Sequence, residues 1–186
     1  MIAGPSGVGK GTVVRRVREL VPDLRLSVSV TTRAPRVALA ERDGVDYHFV
    51  TADEFETLVR TEGLLEWAEV FGNRYGTPRT WVESTLDAGR DVVLEIDVQG
   101  ARQVRETMPQ AVLIFLEPPS LRELERRLRS RGTEDEERLA HRLAQAGWEL
   151  EQRTWFDRVV VNDDVDRASS QVAAIIEESR ASRDLQ

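Results

Sequence analysis

The sequence has no cysteine, one lysine, two histidines and no long apolar run. Without cysteine the chain forms no disulfide, no thiolate nucleophile and no cysteine-ligated zinc site. The histidines, His48 and His141, lack a neighbouring cluster of metal-ligating residues, which disfavours a histidine metal site. A membrane helix needs about 20 apolar residues and a secretory signal a shorter apolar stretch; neither is present, so we expect a cytoplasmic protein without a membrane partner.

Acidic residues outnumber basic ones, 33 to 26, and the net charge is −7 at pH 7. This balance disfavours nucleic acid as a partner, because its binding requires a net basic face. Of the 26 basic residues, Lys10 alone is a lysine. An ammonium is a compact point charge and a guanidinium is a wide planar fork, so this exception singles out Lys10. The length of 186 residues fits one domain.

Lys10 belongs to a segment that is typical of a phosphate-binding loop. Its glycines let the main chain approach an anion, so that successive N–H groups surround phosphate oxygens that Lys10 also reaches. The apolar spacing after the loop predicts a helix, whose N-terminus adds further donors. A glycine-rich turn before an amphipathic helix is the alternative interpretation. The loop comprises Gly4, Pro5, Ser6, Gly7, Val8, Gly9, Lys10, Gly11 and Thr12.

Two features of this segment depart from the usual pattern. Gly11 stands where a hydroxyl residue normally follows the lysine, and Thr12 comes one place later. We therefore expect Mg²⁺ to be held mainly by nucleotide oxygens and water, and we assign it no direct protein ligand. The strand before the loop has only Met1, Ile2 and Ala3, fewer than the usual five or six residues, so we expect a few residues to precede Met1 in the natural chain.

The remaining pattern predicts an α/β fold with a doubly wound parallel sheet. Apolar strand candidates at residues 26–30, 91–97, 111–117 and 158–161 alternate with helix-like sequence. Capping-box signals at Thr51 and Ser120 begin two helices, the second over residues 121–130. Residues 31–78 differ in character: they contain a strand candidate at residues 64–71 and a turn at Gly72-Asn73. This insert is where a second ligand site is expected.

The sequence resembles the guanylate kinase family in nine stretches, in the family's order and over nearly the whole chain. The resemblance implies the P-loop nucleoside monophosphate kinase fold in a single domain, with a core of residues 1–30, 79–120 and 145–186, a GMP-binding insert of residues 31–78 and a helical lid of residues 121–144. It also implies transfer of the γ-phosphoryl group of ATP to GMP and dGMP, with Mg²⁺, in guanine nucleotide supply. The stretches are residues 4–12, 29–36, 46–50, 66–68, 72–77, 95–100, 118–120, 131–134 and 161–164.

The resemblance assigns two groups of residues to GMP. Two guanidinium forks and two phenol hydroxyls suit a phosphate dianion, and a carboxylate is an acceptor for the N1–H and N2–H donors of guanine, which adenine lacks. Asp97 ends an apolar strand and by itself suggests a magnesium-organising acid; the resemblance assigns it to the base instead, with Glu95 nearer the metal, and both interpretations stay open. The phosphate group is Arg33, Arg36, Tyr47 and Tyr75, and the base group is Ser29, Glu66, Thr77 and Asp97.

The resemblance also implies that Arg127, Arg131 and Arg142, with Lys10, surround the reacting phosphates as catalytic residues, which suits a reaction that needs positive charge and alignment. For Arg127 an ordinary ion pair with Glu123 is the alternative. Asn162 is expected near adenine.

Two other functions remain open. One is a non-catalytic interaction module with the same fold, which the retained lysine and arginines disfavour. The other is a kinase for a different small molecule, such as a phosphorylated sugar, which Glu66, Tyr75 and Thr77 disfavour because they would have no base to contact. The sequence leaves the oligomeric state open.

Overall fold

The computed structural model of the chain describes residues 1–37, 40–130 and 136–184. They form two compact units. Unit 1 contains Met1–Asp23, Glu95–Val98 and the described part of Val112–Gln186; unit 2 contains Leu24–Leu94, less residues 38 and 39, and Gln99–Ala111.

Along the described chain, three strands in succession follow the first helix, and a pair of strands follows the second. The strands are β1 (Ile2–Ala3), β2 (Arg25–Leu26), β3 (Val30–Thr31), β4 (His48–Phe49), β5 (Leu64–Val70), β6 (Asn73–Pro78), β7 (Val92–Val93), β8 (Ile114–Glu117) and β9 (Arg158–Val161). The helices are α1 (Lys10–Leu20), α2 (Ala52–Arg60), α3 (Arg79–Asp87), α4 (Val98–Thr107), α5 (Leu121–Ser130), α6 (Glu136–Glu151) and α7 (Val165–Asp184).

Unit 1 is built on a parallel sheet of strand order β1-β8-β9. Ile2 pairs with Ile114, and both are almost fully buried, as expected for strands covered on two faces. Within this unit, helix α1 buries a face that includes Val13 and Val17, and it packs against α7. A second apolar cluster joins α5 and α6 through Leu124, Leu128, Leu139 and Ala146. The loop between β1 and α1 thus leaves the sheet from a buried strand.

Unit 2 contains a two-stranded parallel pair, β2-β7, and a mixed sheet of order β4-β3-β6-β5. In the mixed sheet β3 and β4 are parallel, while β3-β6 and β5-β6 are antiparallel. Helix α2 begins at a complete capping box formed by Thr51 and Glu54, as the sequence predicts. Its Phe55 packs with Val30 and Leu64 in a buried cluster that fixes the helix on the sheet.

The predicted α/β class with a parallel sheet is confirmed, and so is helix α5. The single strand expected at residues 26–30 is wrong: the Ser27 N–H still donates to the Val93 carbonyl, but Val30 pairs with Gly76 in the mixed sheet. One alternating stretch therefore serves two sheets. The segment at residues 91–97 is divided in the same way, since β7 pairs with β2 while Glu95 forms an isolated bridge with Ile2.

The turn between β5 and β6 lies one residue earlier than expected, at Phe71-Gly72. Both residues have positive φ, 51° and 74°, which suits the tight turns that join antiparallel strands. Nowhere in the described chain does a helix combine the length and the apolar character that crossing a membrane requires.

Candidate active site

The loop between β1 and α1 adopts a backbone that only glycine accommodates well. Gly4, Gly7 and Gly9 have φ values of 147°, 87° and 99°. A Cβ at Gly4 would overlap the Leu116 carbonyl oxygen, and one at Gly7 would lie 2.7 Å from a Leu128 methyl carbon. Both the turn and its close packing on unit 1 therefore depend on these glycines.

The Lys10 ammonium lies over this loop. Its Nζ donates to the Gly4 carbonyl at 2.7 Å and to the Pro5 carbonyl at 3.3 Å. These acceptors are neutral, so a phosphate oxygen offers the ammonium a stronger, charge-assisted partner at the same place. The phosphate-binding role of Lys10 stays a prediction, and in the structure its ammonium is held beside the loop backbone.

Arg127 and Asn162 brace the loop from outside. The Val8 carbonyl accepts from Asn162 Nδ2 at 2.7 Å and from Arg127 Nη1 at 3.2 Å. Arg127 also donates to the Asn162 carbonyl at 2.9 Å and to Glu123 at 2.9 Å. Asn162 is 2% exposed, and within the described chain its Oδ1 has no hydrogen-bond partner. All three Arg127 guanidinium nitrogens thus donate to acceptors in the protein. One of these contacts is the ion pair with Glu123, which the sequence offers as the alternative to a catalytic role.

Helix α6 contributes two side chains to the same loop. Arg142 Nη2 donates to the Ser6 hydroxyl at 3.3 Å. Seven residues later, Glu149 is buried; one carboxylate oxygen accepts from Gln145 at 3.3 Å, and the other has no partner among the described residues. Burial raises the pKa of Glu149 above its usual range, although the Lys10 charge acts in the opposite direction. Residues 4–12, Arg127, Arg142, Glu149 and Asn162 are called the loop site below.

Gly11 faces an acid rather than a hydroxyl. A Cβ at Gly11 would lie 3.4 and 3.6 Å from the two carboxylate oxygens of Glu95. Burial raises the pKa of Glu95 and the Lys10 charge lowers it. In the parts of the chain described, no three carboxylate or histidine side chains form a metal cage. The Glu95 carboxylate, as a single protein ligand beside the loop, fits a Mg²⁺ ion that arrives with a nucleotide and keeps part of its water shell.

Unit 2 buries a carboxylate. Glu66 on β5 stands opposite Thr77 on β6, and Thr77 Oγ1 donates to Glu66 Oε1 at 2.5 Å. Glu66 is 4% exposed and Thr77 1% exposed. A buried ionised carboxylate is stable only when hydrogen-bond donors surround it. The buried Glu66 beside Thr77 is therefore suited to a ligand that presents N–H or O–H donors.

A second charged pair in unit 2 holds an arginine fork. Arg33 Nη1 and Nη2 each donate to Glu41 at 2.9 Å, and the Arg36 N–H donates to the same carboxylate at 2.7 Å. Although burial alone would raise the pKa of Glu41, the hydrogen bonds from Arg33 and Arg36 hold it below its usual range. The Arg33 guanidinium also lies 5.2 Å from the Tyr47 ring centre. The fork is thus oriented before any ligand arrives.

The other residues of unit 2 that the sequence predicts to bind GMP are Ser29, Arg36, Tyr47 and Tyr75. The Tyr47 and Tyr75 rings meet edge to face at 5.9 Å, and both are half-buried. The Arg36 side chain is exposed, and the partly buried Ser29 accepts the His48 N–H through its carbonyl at 2.9 Å. The sheet site, as used below, comprises Ser29, Arg33, Arg36, Glu41, Tyr47, Glu66, Tyr75 and Thr77.

A protein-family model for guanylate kinase matches residues 1–179. The chain belongs to the guanylate kinase family. It is 54% identical to the guanylate kinase of Synechococcus sp. (strain CC9311), over 92% of this chain and 90% of that protein. It is 52% identical to the guanylate kinase of Streptomyces kasugaensis, over 100% of this chain and 89% of that protein. The crystal structure of guanylate kinase from Anaplasma phagocytophilum superposes with a TM-score of 0.78 at 36% identity, covering 98% of this chain and 85% of that chain.

Membership of the guanylate kinase family identifies the chain as an enzyme of the nucleotide kinase class with the P-loop fold. Seven of the eight residues predicted for GMP lie in unit 2; Asp97 lies in unit 1, partly buried. Arg131 lies outside the described residues. The sequence reasoning missed Glu41 and Glu149. The signal for Glu149 was its place three residues after the buried Ala146 on one helix face, whereas Glu41 had no local signal.

Proposed function

We propose that this chain transfers the γ-phosphoryl group of ATP to GMP and dGMP, giving ADP with GDP or dGDP, and so supplies guanine nucleotides. The observation that carries the proposal is the buried Glu66 beside Thr77 in the sheet site. A carboxylate shielded from water rewards a ligand with two adjacent N–H donors, and guanine presents that pair at N1 and N2.

The loop site takes the triphosphate of ATP. Backbone N–H groups of residues 4–12 and the N-terminus of α1 surround the β- and γ-phosphates, and Lys10 exchanges the Gly4 and Pro5 carbonyls for phosphate oxygens. Arg127 and Asn162 keep the loop in shape by holding the Val8 carbonyl. In this proposal Arg127 is a positioning residue, and Arg142 and Arg131 supply positive charge to the transferred group.

The sheet site takes GMP. Arg33 and Arg36 hold its phosphate, with the Tyr47 and Tyr75 hydroxyls as neutral donors. The phosphate dianion competes with the Glu41 carboxylate for the fork of Arg33, and it carries the larger charge. Glu41 therefore keeps the fork oriented while the site is empty.

The selection of GMP over AMP follows from the polar groups that adenine would leave without hydrogen-bond partners in the sheet site. AMP would place the N1 acceptor of adenine against Glu66 and would offer no 2-amino group. Each polar group left unpaired in a buried site costs about 1–3 kcal/mol, so two such mismatches disfavour AMP by about 30-fold to 10⁴-fold. Ser29 and Asp97 are proposed as further contacts to the base.

In the reaction a GMP phosphate oxygen forms a bond to the γ-phosphorus of ATP while the bond from that phosphorus to the β–γ bridging oxygen breaks. The protein contributes alignment and positive charge from Lys10, Arg131 and Arg142. We propose that Mg²⁺ comes with ATP, that Glu95 and Thr12 hold its water shell, and that it neutralises phosphate charge when bound.

An assay coupled to ADP formation tests the proposal, with ATP and one acceptor at a time: GMP, dGMP, AMP, CMP, UMP or a sugar phosphate. We expect turnover with GMP and dGMP, a requirement for Mg²⁺, and a rate with AMP lower by 30-fold or more. Preferred turnover of AMP or a sugar phosphate would contradict the guanine assignment. No turnover with any acceptor would favour the interaction module.

A further inference from the structure

Helix α4 presents a glycine to the back of the Glu66 carboxylate. A Cβ at Gly100 would overlap Glu66 Oε2 and would lie 2.9 Å from Glu66 Cδ and 3.4 Å from Cγ. Its three nearest neighbours are thus all atoms of one side chain. Gly100 is itself buried. Both residues belong to unit 2, so the contact is internal to the sheet site.

The Glu66 carboxylate lies between Thr77 on one side and helix α4 on the other. On one side Thr77 binds Oε1, and on the other Oε2 occupies the space that a side chain at position 100 would need. Because Glu66 is 4% exposed and bound by Thr77, a displaced carboxylate would lose this hydrogen bond without gaining access to water. Its position therefore depends on the absence of an atom from Gly100 as well as on the presence of Thr77.

We propose that Gly100 is a specificity-determining residue, because its missing side chain lets the Glu66 carboxylate reach the position from which it selects guanine over adenine. The inference rests on the proposed function, and it adds a residue that does not itself contact the base. Gly100 is a positioning residue in this role.

The backbone gives no other reason for glycine here. Gly100 does not have a left-handed φ, and it lies in the first half of α4, where alanine is favoured over glycine by about 1 kcal/mol. The atoms that alanine would meet belong to the end of a flexible side chain, so the carboxylate gives way before the helix does. The expected result of Gly100→Ala is a displaced carboxylate in a folded protein.

The matched control is Gly147→Ala. Gly147 is also a helical glycine, on α6, but a Cβ there meets nothing within 4 Å. For both variants kcat/KM is measured with GMP and with AMP, together with the KM for ATP and the thermal midpoint. We expect Gly100→Ala to reduce the GMP-to-AMP ratio of kcat/KM about tenfold, mainly through the KM for GMP, with the KM for ATP unchanged. Gly147→Ala should keep the ratio of the unmodified chain.

A shorter acid provides the rescue. Glu66→Asp draws the carboxylate back by one methylene, so Gly100→Ala should cost less in the Glu66→Asp background than in the unmodified chain. A stability measurement applies even if Gly100→Ala folds poorly. Once Glu66→Ala has removed the overlapped atoms, adding Gly100→Ala should raise the thermal midpoint, because alanine is the better helix former.

The outcomes separate the two proposals. If the unmodified chain does not phosphorylate GMP, the proposed function fails. If it does and Gly100→Ala keeps the GMP-to-AMP ratio, or lowers both rates equally, the role of Gly100 is wrong. A fall in the thermal midpoint on adding Gly100→Ala to Glu66→Ala would also overturn it, because the steric conflict would then lie with atoms other than the Glu66 carboxylate.

Discussion

The loop site and the sheet site hold their charges in different ways. In the loop site, Lys10 is bound by carbonyls only six and five residues before it in the chain. In the sheet site, Glu66 is held by a hydroxyl eleven residues away and Arg33 by a carboxylate eight residues away, both on separate segments. A contiguous segment, residues 4–12, thus forms the backbone of the loop site, although Arg127, Arg142 and Asn162 reach it from distant positions. In the sheet site the Glu66–Thr77 pair exists only because strands β5 and β6 pair.

This difference predicts different responses to substitution. Within residues 4–12 the loop site has one cationic side chain, Lys10, because the rest of that segment is proposed to act through its backbone. In the proposed function the sheet site divides its roles between the Glu66–Thr77 pair for the base and the Arg33 fork for the phosphate, so each change there should alter one property and leave others intact.

Lys10→Ala should have the largest effect. Removing the ammonium deletes the point charge on the transferred group, so kcat with ATP and GMP should fall about 10²–10³-fold. Arg15→Ala is the control, since it removes an exposed charge from the same helix. Steady-state rates and thermal midpoints of both variants are compared. A Lys10→Ala enzyme with near-normal kcat would show that the loop does not act through this residue.

Glu66→Ala should come next and should act on selection. Losing the buried acceptor should lower kcat/KM for GMP about 10–100-fold while AMP changes much less, so the gap between the two substrates narrows. Glu69→Ala removes the same charge from an exposed position on β5 and should leave the gap unchanged. An unaltered gap in Glu66→Ala would place base selection elsewhere.

Glu41→Gln should have a smaller effect on GMP binding. The fork of Arg33 loses a competing charge and also the partner that orients it, and we expect the lost orientation to outweigh the removed competition. We expect the KM for GMP to rise about 3–10-fold and the thermal midpoint to fall, with Asp46→Asn as a control in the same segment. Glu41 has a lowered pKa in the folded chain, so it stabilises the fold above the usual carboxyl pKa of 4.5. That contribution is lost as pH falls through the lowered pKa, and the midpoint difference between Glu41→Gln and the unmodified chain should disappear there.

The sequence predicted the loop site better than the sheet site. Residues 4–12 are contiguous, so their glycines and lysine indicated a phosphate loop from spacing and chemistry alone. By contrast, Glu66 and Thr77 meet because of the β5–β6 register, and only the family resemblance connected them beforehand.

The missed features have different physical causes. Strand 26–30 was expected to be continuous because hydrophobic alternation reports which face is buried, and it does not report which sheet a residue pairs with. Glu41 is missed because its partner Arg33 is eight residues away and no local periodicity links the two, and Glu149 because a single acid leaves the apolar spacing of α6 unchanged. For the strand, the information that the local pattern lacks is the long-range pairing of Val30 with Gly76.

The smallest effect is expected from Glu149→Gln, which tests whether the loop site tolerates its own buried acid. Burial raises the pKa of Glu149, so at neutral pH the folded chain either keeps a desolvated charge or takes up a proton, and both lower stability relative to acid pH. Glutamine keeps an acceptor without the charge, and a gain of about 1 kcal/mol corresponds to about 2–4 °C in the thermal midpoint of a chain of this size. Because the unfolded acid titrates near 4.5, this gain should be present at pH 7 and shrink as pH falls toward that value. Glu151→Gln, at an exposed position on α6, should show no such gain, and a Glu149→Gln variant less stable than the unmodified chain at pH 7 would mean that the carboxylate charge holds the loop in place.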